Sequence, residues 1–211
     1  MPKAVIFDMG GILLDFFTLE LTAAYTDTPE DAALLERAVF RSPEWAALDR
    51  GVLTEDQVLA AVREGLPERL CEPAARVVEH WDEYLFPKPE MIALARELDG
   101  LGVPLYLLSN TSARFYRFRE KMEVWPLLRG AVLSFEEKVL KPDPEIYRRV
   151  FARFGLAPGD CFFIDDLNLN IEAARWCGMR AFHYQNDISR LRAALHEAGI
   201  PIAMEQKEAF S

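Results

Sequence analysis

The chain has 211 residues, 51% hydrophobic and 27% charged, a composition that supports a sizeable core and excludes outright disorder. Its 24 Lys and Arg stand against 34 Asp and Glu, a net charge of −10, which argues against a dense basic surface for nucleic acid but leaves room for one positive pocket that holds a small phosphorylated substrate. Cys71, Cys161 and Cys177 are too few and too widely spaced for a disulfide framework or a cysteine zinc site. No apolar run approaches the roughly 18 residues that span a bilayer, and Asp8 interrupts the N-terminal apolar stretch that a signal peptide would need. These features predict a cytoplasmic protein with no membrane partner, a monomer or small homo-oligomer.

In chain order, Ala4-Val5-Ile6-Phe7 is a short apolar run closed by Asp8-Met9-Gly10-Gly11, the pattern of a buried strand running into a tight loop. Residues from about 18 to 85 read as helical, with no convincing strand. Within them Ser42-Pro43 is a helix start, and Thr54-Glu55-Asp56-Gln57 has the spacing of a capping box. Strands and helices then alternate. A helix is expected over 89–98, a strand over 103–108 ending in Ser109-Asn110, a helix over 112–122 and a short strand over 131–133. Asp143-Pro144 starts a helix that Gly155 ends. A strand over 161–164 ends in Asp165-Asp166, a helix over 168–177 follows, and a last strand and helix cover 181–184 and 188–198. The tail after Pro201 is expected to be loosely held.

Alternating strands and helices predict an α/β fold with a Rossmann-like parallel sheet. Residues 1–15 plus 87–211 are expected to form the core, with 16–86 as a helical cap inserted after the first strand. The cap carries 15 acidic and 6 basic residues, so it holds most of the negative charge; every lysine lies outside it.

In an open α/β sheet ligands bind at the carboxyl ends of the strands. Those ends carry Asp8, Ser109-Asn110 and Asp165-Asp166. Three clustered carboxylates repel one another, so a cation is expected; hard oxygen ligands favour Mg²⁺. Lys141, held before Pro142 and just ahead of a helix start, is placed to reach a bound anion as a point charge.

These residues resemble the haloacid dehalogenase superfamily. Phe7-Asp8-Met9-Gly10-Gly11-Ile12-Leu13 looks like its first motif, Leu107-Leu108-Ser109-Asn110 the second, Lys141-Pro142 the third, and Phe163-Ile164-Asp165-Asp166 with Asn170 the fourth. The glycine pair after Asp8, the turn Asp49-Arg50-Gly51-Val52-Leu53-Thr54 and the run Lys141-Pro142-Asp143-Pro144-Glu145-Ile146-Tyr147 are similar to the subgroup of α-D-glucose-1-phosphate phosphatases and the N-terminal domains of soluble epoxide hydrolases. The resemblance implies a Mg²⁺-dependent phosphomonoesterase acting on a small phosphorylated metabolite, a sugar phosphate first. Asp8 would be the nucleophile that forms an aspartyl phosphate. Asp8, the Gly10 carbonyl and Asp166 would hold the metal. Ser109 and the Asn110 N–H would bind phosphate, Lys141 would pair with Asp8 and the transferring group, and Asp165 would orient Lys141 or a metal-bound water.

The chain departs from the family at Gly10, where most of its phosphatases carry a second Asp as general acid and base. The family's dehalogenases lack that Asp too, which leaves 2-haloacid dehalogenation, or a decayed binding protein, as alternatives. A cap residue, a metal-linked water or a substrate hydroxyl would then have to protonate the leaving group. His80, His183 and His196 show no ligand spacing, and the four tryptophans read as packing residues. Trp45 and Arg41 lie in a cap turn that can face the site, and Lys138 is a neighbouring rival to Lys141.

Overall fold

The computed structural model describes residues 3–203. The chain opens on strand β1 (Ala4–Phe7) and a tight loop, then β2 (Leu14–Phe16). Five helices follow: α1 (Thr18–Ala23), α2 (Pro29–Phe40), α3 (Pro43–Asp49), α4 (Glu55–Glu64) and α5 (Cys71–His80). Strand β3 (Leu85–Pro87) returns the chain to α6 (Pro89–Gly100), β4 (Leu105–Ser109), α7 (Phe115–Phe118), β5 (Leu128–Leu133) and α8 (Ser134–Glu137). The last elements are α9 (Pro144–Phe154), β6 (Cys161–Asp165), α10 (Asn168–Trp176), β7 (Arg180–His183) and α11 (Ile188–Glu197).

The main sheet is parallel throughout, in the order β5-β4-β1-β6-β7, with β1 at its centre. Alternation along each strand sends side chains to two buried faces. Val5, Phe7, Leu105, Leu107, Phe162 and Ile164 pack on one face, in one cluster with residues of α6, α11 and α2–α5. Ala4, Ile6, Tyr106, Leu108 and Phe163 pack on the other, against α9 and α10. The expected α/β class with a parallel sheet is therefore the observed one.

Local signals set many boundaries. Ser42 accepts the Trp45 N–H at the start of α3, and Thr54 with Gln57 forms a complete capping box on α4. Asp143 caps α9, and Gly155 ends it in the left-handed region at φ +63°.

The structure corrects several expectations. The chain enters and leaves the helical segment through an antiparallel ladder, in which Leu14 pairs with Pro87 and Phe16 with Leu85; three-residue strands are too short to show alternation. The helix expected over 112–122 shrinks to α7 and a 3₁₀ turn over Arg119–Lys121. There Phe115 and Phe118 turn inward onto Trp125 and Trp81. Strand β5 starts at Leu128, three residues before its apolar run, because Leu128 and Gly130 pair with Leu105 and Tyr106 of β4 across a register shift that passes over Arg129. Trp176 does not pack: it is 71% exposed. Cys177, which flanks core elements and reads from the sequence as a small buried residue, is only half-buried. Ile202 is buried against the core, whereas the rest of the expected loose tail, from residue 204, lies outside the described residues.

The turn after α3 sits directly on α8, which follows the edge strand β5. Gly51 has φ +69°, and a Cβ there would lie 2.5 Å from the Phe135 carbonyl oxygen. Lys138 Nζ donates to the Gly51 carbonyl at 2.6 Å, so this rival of Lys141 serves the contact between α3 and α8. Gly51→Ala should therefore destabilise by about 1–3 kcal/mol through strain and lost docking, read from urea denaturation; an unchanged midpoint would show that the contact is slack.

Candidate active site

The sheet register builds the site. Phe7 pairs with Leu107 on one side and with Ile164 on the other, so Asp8, Ser109 and Asp165 emerge together at the carboxyl ends of β1, β4 and β6. The Asp8 N–H donates to the Ile164 carbonyl at 2.9 Å, tying the two strand ends.

Lys141 is buried among them. Its Nζ lies 2.7 Å from Asp8 Oδ1 and 2.7 Å from Asp165 Oδ2, over the ring of Phe163. The lysine is positioned by its backbone: the Lys141 N–H donates to Asn110 Oδ1 at 2.8 Å, and Asn110 Nδ2 donates to the Lys141 carbonyl at 3.0 Å. The Asn110 side chain thus clamps the lysine. Ser109 is buried and makes only a long hydroxyl contact, 3.3 Å, to the Asn110 carbonyl.

Asp165 is fully committed. Asn170 Nδ2 donates to both of its oxygens at 2.9 and 3.0 Å, and the Leu167 N–H donates to Oδ1 at 2.8 Å. Asp8 differs: Oδ1 takes the Met9 N–H at 2.6 Å as well as Lys141, and no described group engages Oδ2. Asp166 packs against the loop after Asp8. A Cβ on Gly11, at φ +70°, would meet Asp166 Oδ2 at 2.5 Å, so the second glycine of the pair is the one that this approach requires.

Asp8, Asp165 and Asp166 each offer one oxygen within 4.8 Å of the others'. One lysine cannot balance three carboxylates, two of them buried and Asp166 half-buried. Burial, helped by Asp165 and opposed by Lys141, leaves the Asp8 carboxyl raised from 3.8 to about 7. Burial, then Asp165, also raises Asp166. Burial works against the charge on Lys141, yet Asp8 and Asp165 hold its pKa above the ordinary lysine value. An all-oxygen donor set with surplus negative charge fits a hard divalent cation.

The raised Asp8 pKa has a thermodynamic sign. A carboxyl that binds its proton more tightly when folded contributes stability at low pH and loses it as pH rises toward about 7. Metal-free protein should therefore lose melting temperature relative to Asp8→Asn between roughly pH 4 and 7. Saturating Mg²⁺ at pH 7.5 should raise the wild-type value by mass action. Thermal melts with and without the cation check this; a Mg²⁺-insensitive melting temperature would contradict it.

Several site neighbours carry no clear sequence signal. Lys88, buried ahead of α6, donates from Nζ to the Gly11 carbonyl at 3.1 Å and to Asn186 Oδ1 at 2.6 Å, and pairs with Asp15 at 3.1 Å; it braces the loop after Asp8. His183 Nε2 donates to the Asp166 carbonyl at 2.8 Å. Arg114 joins Asp82 at 2.9 Å, Glu55 and the Glu79 carbonyl, fastening α4 and α5 to the segment after β4. Over the strand ends lies a cavity of about 100 Å³ lined by Gly10, Asn110, Trp45, Asp49, Trp81 and neighbours. Of the two cap-turn residues that could face the site, Trp45 lines this cavity while packing in the core, whereas Arg41 pairs with Glu36 at the surface.

Comparison with known proteins places the chain in a family. The family described as haloacid dehalogenase-like hydrolase matches residues 2–178. A sesquiterpene phosphatase of Aspergillus oryzae is 30% identical over 89% of this chain and 92% of its own length. A phosphorylated carbohydrates phosphatase of Thermotoga maritima is 28% identical over 98% and 95%. Among solved structures, a HAD family enzyme of Bacteroides thetaiotaomicron, in complex with magnesium and inorganic phosphate, superposes with TM-score 0.68 over 90% of this chain and 99% of that one at 22% identity. A dehalogenase in an intermediate complex gives TM-score 0.72 over 91% and 96% at 19% identity. The two structures share the fold alone. With a family match over most of its length and a relative 30% identical over nearly all of it, the chain belongs to the haloacid dehalogenase-like hydrolase family.

Proposed function

We propose that this protein is a Mg²⁺-dependent phosphomonoester hydrolase that works through an aspartyl phosphate on Asp8. The observation that carries the reading is the unengaged Asp8 Oδ2, beside a buried lysine and two further carboxylates. Asp8 Oδ2 attacks phosphorus while Lys141 holds Oδ1 and meets the charge on the transferring group. Asp165, fixed by Asn170 and the Leu167 N–H, keeps Lys141 oriented. Ser109 and the Asn110 N–H bind phosphate oxygens. Asp8, Asp166 and the Gly10 carbonyl would hold Mg²⁺, which when bound supplies charge neutralisation between carboxylate and phosphate. The surplus of carboxylates supports this reading over dehalogenation, whose attack on a carbon centre gives no use for a dication. Three unpaired cysteines suit a reducing, cytoplasmic setting.

The confined cavity over the strand ends favours a small phosphorylated metabolite over a polymeric substrate, and a sugar phosphate is the first substrate class. The largely apolar lining, with Phe16 and Leu85, favours a second reading, an apolar organic monophosphate such as a prenyl phosphate. A metal-dependent panel of sugar and prenyl monophosphates separates the two. Phosphate release that EDTA stops is expected; halide release from 2-haloacids without metal would overturn the assignment.

A further inference from the structure

Breaking a phosphate ester leaves negative charge on the departing oxygen, and an unactivated alcohol needs a proton there. Neither Asp8, the attacking group, nor Asp165, saturated by hydrogen bonds, is free to supply one. Gly10 has no side chain to do so.

The cavity over the strand ends is bounded on one side by Met9 and Gly10, which follow Asp8, and by Asn110 and Thr111, which follow Ser109. Trp45 and Asp49 of α3 line its other side. Among the described residues lining it, Asp49 alone carries an ionisable side chain. No described residue makes a hydrogen bond or ion pair to the Asp49 carboxyl. Its backbone, by contrast, is anchored: Ser134 Oγ donates to the Asp49 carbonyl at 2.5 Å and accepts the Thr111 N–H at 2.9 Å. The close seat of Gly51 on Phe135 fixes the next turn. A carboxyl with a fixed backbone and no partner, facing a mostly apolar cavity, is placed for chemistry rather than for stability. Burial pushes its pKa up to about 7, the range a proton donor needs near neutral pH.

We propose that the Asp49 carboxyl donates the proton to the leaving-group oxygen, in place of the side chain that Gly10 lacks. The inference rests on the phosphatase reading. As Asp8 Oδ2 bonds to phosphorus, the ester P–O bond breaks; its electron pair goes to the leaving oxygen, which takes the Asp49 proton and departs as an alcohol. The Asp49 carboxylate then removes a proton from the water that attacks the aspartyl phosphate. The Oδ2–P bond breaks, its electron pair returns to Asp8, and phosphate leaves.

The test compares phenyl phosphate with p-nitrophenyl phosphate, alike in shape, in rapid-quench measurements of the phosphorylation step. p-Nitrophenolate leaves without a proton; phenolate is far more basic. Asp49→Asn should slow phenyl phosphate by about 10²-fold or more and p-nitrophenyl phosphate by less than about tenfold, the second rate also showing that the variant is folded. Adding Gly10→Asp to Asp49→Asn should recover at least about tenfold on phenyl phosphate, since a Cβ at Gly10 meets nothing within 4 Å. Equal losses on both substrates, no loss on phenyl phosphate, or a folded double variant no faster than Asp49→Asn would overturn the proposal. Wild-type protein inactive on both substrates would instead defeat the phosphatase reading, and this inference with it.

Discussion

Asp8→Asn should lower phosphomonoester hydrolysis by at least about 10⁴-fold without lowering the melting temperature at pH 7.5. The activity loss follows from chemistry: an amide oxygen cannot form the acyl phosphate, and Oδ2 is the atom left free by Met9 and Lys141. The thermal result follows from electrostatics. Asp8 is buried beside Asp165, and its charged form is disfavoured enough to raise its pKa to about 7, so a neutral isostere relieves a repulsion present in metal-free protein. Stability given up for function is common at active sites. Steady-state turnover and melting curves on the same preparation check both halves. Activity within tenfold of wild type would remove Asp8 from the reaction.

Lys141→Met should have the opposite thermal effect. Lys141 is 4% exposed and lies 2.7 Å from each of two buried carboxylates. Removing it leaves Asp8 and Asp165 without their cation, and breaking a buried pair in this way costs about 3–5 kcal/mol. Protonation of the carboxylates relieves that cost, so the loss should be larger at pH 8 than at pH 5. Added Mg²⁺ should recover part of it. Activity should fall by roughly 10²–10³-fold as charge stabilisation is lost. Urea denaturation at the two pH values gives the measurement; a variant as stable as wild type at pH 8 would mean that the carboxylates are solvated.

What could be read from the sequence were features with a local cause. Asp8, Ser109, Asp165 and Asp166 each follow an apolar strand, and a parallel sheet brings strand ends together whatever the loops do. Lys141 was marked by Pro142, and helix starts by Ser42, Thr54 and Asp143. Features made by tertiary contact carried no such mark. Lys88 looks like a linker residue before a proline, yet it is buried and braces the loop after Asp8. The Asn110 side chain clamps Lys141, while the expected phosphate contact concerns its backbone. Strands β2 and β3 form because distant segments meet, not because three residues prefer to be extended. Asp49 stood in the quoted turn, but only the cavity and the Ser134 anchor set it apart from the other acidic residues of the helical segment.

The covalent intermediate is the claim on which the rest depends. Wild-type protein mixed with Mg²⁺ and a turned-over phosphomonoester, acid-quenched within the first turnover and digested, should yield the peptide containing Asp8 heavier by one phosphoryl group. That adduct should form before free phosphate appears and be absent from Asp8→Asn. A peptide that stays unmodified while product alcohol is released in a burst, or one that gains the substrate's organic group instead, would contradict an aspartyl phosphate on Asp8.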